Sequence, residues 1–291
     1  MKSILIAAIA GAIALTFGVF AGSNSVEIYG HSAFFLCVML AMVINWVVFL
    51  PSAAFKSDTF YDTTGAITYA SVTGFACWAA YSTYGSLDTR SYALALMVIL
   101  WCLRLGSFLF VRIHAMGGTD SRFEKIKVNP ARFLVAWTLQ GVWVVLTASA
   151  ALVAITSTIR AQPDGFLWIG LAVWIFGFVW ETVADAQKSA FKKDPANKGK
   201  FINTGLWRFS RHPNYFGEIT LWTGVLIVAV PVLSGLDWLV VISPIFVFVL
   251  LTKISGINLQ TAQAKTRWGD DPAYQRYRKN TPALVPMPPK G

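Results

Sequence analysis

The chain has 291 residues, of which 56% are hydrophobic and only 13% charged, where a soluble domain carries roughly a quarter charged residues. So little polar side chain cannot coat a water-facing surface, which excludes a soluble fold. The net charge of +10 does not point to nucleic acid as a partner, because the basic residues sit between apolar stretches and no aromatic-and-basic platform lies on a polar fold.

A span of the hydrocarbon core needs about 20 mostly apolar residues in a row, and several stretches qualify. The first runs from about Ile4 to Phe20; it fits a cleaved signal segment, but a retained first span explains it equally and is the reading adopted. The second covers His31 to Leu50 and stops at Pro51, the third Gly65 to Tyr84, and the fourth Tyr92 to Val111. A fifth extends from Phe133 to Thr156 and a sixth from Phe166 to Ala184. From Gly217 to Leu251 the apolar run is too long for one span and is interrupted by Pro231, Ser234-Gly235 and Asp237, so two short helices joined by a tight turn are expected. The result is an all-α, polytopic membrane bundle of seven or eight transmembrane helices. It reads as one membrane domain over 1–291: the first spans to about residue 60, a region 61–291, and a tail from about 255.

Segments 112–132 and 185–212 and the tail carry most Lys and Arg, whereas 22–30, 85–91 and 157–164 carry few charges. The positive-inside bias then puts the basic loops and both chain ends in the cytoplasm. Cys37, Cys77 and Cys102 lie in apolar segments and read as small buried residues. His31, His114 and His212 are far apart in sequence, and no metal site is expected.

Ionisable groups at membrane depth are costly and stand as functional hypotheses. Glu181 and Asp185, four apart at the end of the sixth span, share a helix face. Arg104 lies inside the fourth span and Glu218 begins the seventh. Between them, Arg208, Arg211, His212, Asn214 and Tyr215 fall within eight residues, with Pro213 opening an apolar helix. The unpaired N–H groups of such a helix start, beside Arg and His, suit a phosphate or carboxylate. Contact with anionic lipid heads is the alternative; it accounts for Arg208 and Arg211 but not for Asn214, Tyr215 and Glu218 together. Asp120 and Arg122 form a second polar group, read either as a local ion pair or as an Arg near the same anion. Asp58, Tyr61 and Asp62 form a third, for which a helix cap is the structural alternative.

These residues carry a resemblance. Tyr61-Asp62, Trp101, Arg104-Leu105-Gly106, Arg122-Phe123, Glu181, Asp185, Gln187-Lys188, Gly205-Leu206-Trp207 and above all Arg211 to Glu218 resemble the DUF1295 branch of the steroid 5-alpha-reductase-like membrane proteins. The wider group also takes in sterol reductases and isoprenylcysteine carboxyl methyltransferases. The resemblance implies an NADPH-dependent oxidoreductase that reduces a conjugated carbon–carbon double bond in a hydrophobic substrate entering from the bilayer, in a bacterial inner membrane. It implies a cofactor site of Arg104, Arg122, Glu181, Asp185, Arg208, Arg211, His212, Asn214, Tyr215 and Glu218. Tyr61, with Asp62 and Tyr84, is the candidate for polarising the enone oxygen. Two departures stand out: Val47-Val48-Phe49-Leu50-Pro51 lacks the acid that steroid-reducing relatives carry before a Pro, and Leu259-Gln260 stands where many relatives have an acid. The alternatives are an S-adenosylmethionine-dependent membrane methyltransferase, which shares an Arg-His-Pro and Tyr segment, and a non-enzymatic lipid-binding or transport protein.

Overall fold

The computed structural model describes residues 2–115 and 123–288, apart from the side chains of Arg112, His114 and Ala115. Asp120 and Arg122 lie outside the described residues. The helices are α1 (Lys2–Ala21), α2 (Ala33–Ala54), α3 (Tyr61–Tyr84), α4 (Thr89–Ala115), α5 (Pro130–Thr156), α6 (Gly165–Lys193), α7 (Pro213–Ala229), α8 (Ile242–Val249), α9 (Ile257–Trp268) and α10 (Pro272–Asn280). A two-residue-per-strand hairpin, β1 (Glu27–Ile28) with β2 (His31–Ser32), joins α1 to α2.

Among the described residues seven helical stretches are long and apolar enough to cross a membrane: 2–21, 33–54, 89–111, 130–156, 165–193, 213–232 and 235–268. The expected third span is not among them. Helix α3 has 24 residues, about 36 Å at 1.5 Å per residue, but its threonines and serines lower its hydropathy. Three of those hydroxyls turn back on the helix backbone, Thr64 donating to Phe60 O at 2.7 Å, Thr68 to Thr64 O at 2.7 Å and Thr83 to Ala79 O at 3.0 Å, whereas the buried hydroxyls of Thr63 and Thr73 have no partner among the described residues. Its buried face, Thr64, Gly65, Thr68, Tyr69, Val72, Thr73, Ala76, Ala79 and Ala80, repeats at helical spacing and packs on α2, α4 and α5.

The chain forms two compact units, residues 1–168 with 225–243, and 169–224 with 244–291. In the first, α5 is buried on nearly every side from Val142 to Thr156, as suits a helix apolar all round, and α1 to α4 pack around it. Helix α1 contributes a stripe of small residues, Ala7, Gly11, Ala14, Gly18 and Ala21. A Cβ on Gly18 would lie 2.9 Å from Val38 Cγ2, so the stripe is what lets α1 approach α2.

The loops after α1, α3, α5 and α7 gather at one end of this unit, the arrangement alternating crossings produce if α3 also runs across. Val26 N donates to Thr156 O at 2.7 Å and Thr158 N to Asn24 O at 2.7 Å. Asp88 pairs with Arg160 at 2.7 Å and Arg90 with Asp164 at 3.0 Å, crosslinking the α3–α4 and α5–α6 loops. Arg90, 2% exposed, also donates to the carbonyls of Val228 and Gln162. Asp164 caps α6 by accepting from Leu167 N at 3.0 Å; that N–H and then the Arg90 guanidinium hold its carboxyl below the usual range. The expected interruption after α7 is present. A 3-10 turn at Val230–Val232 is followed by Ser234, which with Asp237 forms a capping box at the start of Gly235–Val241.

Candidate functional site

The second unit is organised by a glycine-lined seam between α6 and α7. Gly170 and Gly177 on α6, and Gly217 and Gly224 on α7, each recur after two turns and therefore share one face. A Cβ on Gly177 would stand 2.5 Å from Leu221 N, one on Gly217 2.6 Å from Glu181 N, and one on Gly224 2.6 Å from Trp174 N. The two backbones are thus in contact in antiparallel register. Extending it one step places Asp185 opposite Asn214, whose Nδ2 donates to Asp185 Oδ1 at 3.2 Å.

This register brings Asp185 to the first turn of α7, where helix N–H groups and the positive dipole end favour carboxylates, and Glu181 beside Gly217 one turn further on. Glu181 is 2% exposed and Asp185 half-buried. Glu218, in the second turn of α7, is also half-buried. The Oδ1 of Asn214 is buried and has no hydrogen-bond partner among the described residues.

The segment leading into α7 is pinned from two sides. Toward α6, Gly205 adopts φ +57°, where a Cβ would collide with the Gln187 amide. The Gln187 Oε1 accepts from Leu206 N at 2.8 Å, Trp207 Nε1 donates to Ala184 O at 3.0 Å, and Lys188 Nζ lies 4.6 Å from the Trp207 ring centroid. Toward the carboxyl end, Tyr277 OH donates to Trp207 O at 2.6 Å. Arg211 N donates to Pro282 O at 2.9 Å, Arg211 Nε to Thr281 O at 3.1 Å, and Met287 N to Phe209 O at 3.0 Å. Ser210, fully buried, donates to Leu284 O at 2.7 Å and accepts from His212 N at 3.1 Å. The proline-rich end is therefore a strap laid along 209–211.

His212 is 6% exposed and stacks on Tyr215, ring centroids 5.5 Å apart and planes 7° apart. Tyr215 OH in turn accepts from Gln260 Nε2 on α9. Burial, then the nearby charges of Lys188 and Arg211, push the imidazole down to about 3. With that value the ring is neutral near pH 7, and its Nδ1 has no partner among the described residues. Arg211 is also pushed down from its usual value, first by burial.

Of the expected cofactor residues, Glu181, Asp185, Arg211, His212, Asn214 and Tyr215 are thus linked around the start of α7. Arg208 is exposed and faces α10 across a surface pocket instead. Arg104 is a partly buried residue of α4 in the first unit. The three expected catalytic residues do not form one group. Tyr61 and Tyr84 open and close α3, which sets them about 35 Å apart at 1.5 Å per residue. Tyr61 OH donates to Ala136 O at 2.9 Å and its ring packs on Phe123 and Trp137. The Tyr84 ring lies 4.1 Å below the Arg160 guanidinium, and Asp62 sits in the first turn of α3. Ser210, Gln187 and Gln260 were not read from the sequence as site residues; none is ionisable, and their partners lie 74, 19 and 45 residues away.

A family model described as "Protein of unknown function (DUF1295)" matches residues 48–281. The chain is 35% identical over 109 residues to "Probable O-methyltransferase ustE" of Ustilaginoidea virens, covering 32% of this chain and 38% of that protein. It is 26% identical over 183 residues to "Uncharacterized protein C594.04c" of Schizosaccharomyces pombe, covering 53% of each. The chain thus spans about half or less of the length of these two fungal relatives. No solved structure matches it.

Proposed function

The chain belongs to the DUF1295 family, and from that premise we propose that it is a membrane-embedded enzyme that methylates an oxygen nucleophile of a hydrophobic acceptor, with S-adenosylmethionine as donor. The carrying observation is the character of the buried set at the α6–α7 seam: carboxylates, an amide and a neutral imidazole. Phosphates call for fixed cations, and of those expected His212 is neutral while Arg211 spends its Nε–H on the Thr281 carbonyl. A donor with a sulfonium, an ammonium and ribose hydroxyls calls for carboxylates and hydrogen-bond acceptors, which Glu181, Asp185, Asn214 Oδ1 and His212 Nδ1 provide. The likeness to a probable O-methyltransferase supports the same reading, and the apolar helices support an acceptor drawn from the bilayer.

When bound, S-adenosylmethionine supplies a methyl group on a cationic sulfur; the acceptor oxygen forms the new O–C bond and the C–S electron pair stays on sulfur. In this division of labour Glu181 and Asp185 neutralise the donor's positive charge in a medium where it is costly. Asn214, anchored through its amide to Asp185, presents Oδ1 for a donor hydroxyl or amine. At a value near 3 His212 keeps one ring N–H, accepts a hydrogen bond at the other nitrogen and takes up no second proton at neutral pH, so it is a weak general base. An acceptor already ionised at that pH, such as a carboxylate, suits it better than an alcohol.

NADPH-dependent reduction of a conjugated double bond is the rival reading of the same residues. Purified protein in detergent should show a raised thermal midpoint with S-adenosylmethionine or S-adenosylhomocysteine, by about 2.7 kcal/mol of added stability at a hundredfold excess over Kd, and no change with NADPH. A rise with NADPH alone would reverse the assignment.

A further inference from the structure

Arg208 and Arg276 face one another across a pocket of about 220 Å³ whose other lining residues are Asn203, Ala273, Tyr277, Asn280 and Thr281. This pocket lies in the second unit, on the outer side of the segment that leads into α7. Neither guanidinium is paired with a carboxylate among the described residues. Arg276 Nε reaches only its own helix, Pro272 O at 3.4 Å, and Arg208 is exposed on a 3-10 turn, Gly205–Arg208, held by the Tyr277–Trp207 hydrogen bond. The Tyr277–Trp207 hydrogen bond thus ties the 3-10 turn that carries Arg208 to α10, which carries Arg276.

The surrounding chemistry selects the ligand. Two guanidinium forks with two amides and a threonine are donors in excess, and a phosphate offers acceptor oxygens with negative charge to match. The flanking sequence is net cationic, with Lys265, Arg267, Arg278 and Lys279 against Asp270 and Asp271 near Arg276, and Lys198, Lys200 and Arg211 near Arg208. Position adds a second argument: Arg208 precedes by five residues the stretch 213–232, which is long and apolar enough to cross the membrane. A cation so close to the start of a span suits the headgroup level, where anionic lipid concentrates.

We infer that Arg208 and Arg276 form a phosphate-binding site at the membrane surface, taking a phosphomonoester or phosphodiester group. Such a group is carried either by a lipid head or by a soluble molecule. The inference stands whether the α6–α7 cluster holds S-adenosylmethionine or NADPH.

The test titrates the full chain in neutral detergent with dioctanoyl phosphatidic acid, with dioctanoylglycerol, and with inorganic phosphate, reading the thermal midpoint. Phosphatidic acid should raise it, dioctanoylglycerol should not, and Arg208→Gln/Arg276→Gln should weaken the response at least tenfold while melting like the parent without ligand. Arg208→Lys, which keeps the charge but not the fork, should fall between. A response to phosphatidic acid but not to inorganic phosphate assigns a lipid head, and equal responses assign a soluble phosphate; both support the site. Should phosphatidic acid act no differently from dioctanoylglycerol, or the double variant respond like the parent, the site is overturned.

Discussion

Both units carry ionisable groups in apolar surroundings, but the groups are arranged differently. In the first unit three pairs of opposite charge tie segments together: Arg90 with Asp164, Arg160 with Asp88, Lys127 with Asp58. Each pair ties two segments distant in sequence, and Arg90 also closes two backbone carbonyls. In the second unit Glu181 and Asp185 are like charges one turn apart, set against an amide and a neutral histidine that keep an acceptor atom unmet. A buried charge is thus not in itself a sign of function. Pairs of opposite sign lock loops, whereas like charges one turn apart beside unmet acceptor atoms mark a candidate site.

That contrast predicts which changes damage the fold and which damage binding. The largest effect is expected for Gly217→Val, because even a Cβ there meets Glu181 N at 2.6 Å and Gly177 O at 2.7 Å. The seam must open, costing more than about 4 kcal/mol, seen as loss of folded protein on size exclusion in detergent. A normally folded variant would break the close-approach account of the seam.

Next, Arg90→Met leaves two carbonyls and Asp164 without their donor and should cost about 3 kcal/mol, read as a lower thermal midpoint. Cofactor affinity of the folded fraction should be unchanged, so a selective loss of binding would erase the distinction between the units.

The smallest effect concerns His212. Its folded value, about 3, lies below the ordinary 6.5, so the folded state binds fewer protons than the unfolded chain between those values. Its contribution is fully present above about pH 6.5 and declines as the pH falls below it. His212→Gln should therefore show a shallower fall of midpoint between neutral and mildly acidic pH than the parent; parallel curves would mean the imidazole is not kept neutral.

The membrane class, most span positions and the break after α7 were legible in the sequence, since each depends on runs of apolar residues or on Pro231, Ser234 and Gly235. The α6–α7 cluster was legible for a related reason: Glu181, Asp185 and Asn214 contradict their apolar context. What was not legible depends on burial and on distant partners. The lowered value of His212 depends on its burial and on the charges of Lys188 and Arg211, which only the fold brings near it. Arg90 and Arg160 look like ordinary loop charges until their acids are seen across 74 and 72 residues. Tyr61 and Tyr84 read as one catalytic set only while α3 is not treated as an unbroken helix. The proline-rich end reads as a loose tail, yet its carbonyls hold Ser210 and Arg211.

The central claim is that carboxylates at the α6–α7 seam hold a cationic methyl donor. Equilibrium dialysis of radiolabelled S-adenosylmethionine against parent protein and Glu181→Gln tests it most directly. Saturable binding to the parent, weakened at least tenfold or about 1.4 kcal/mol in the variant, is the predicted result. Equal binding to both, or none to a parent that binds NADPH, would contradict it.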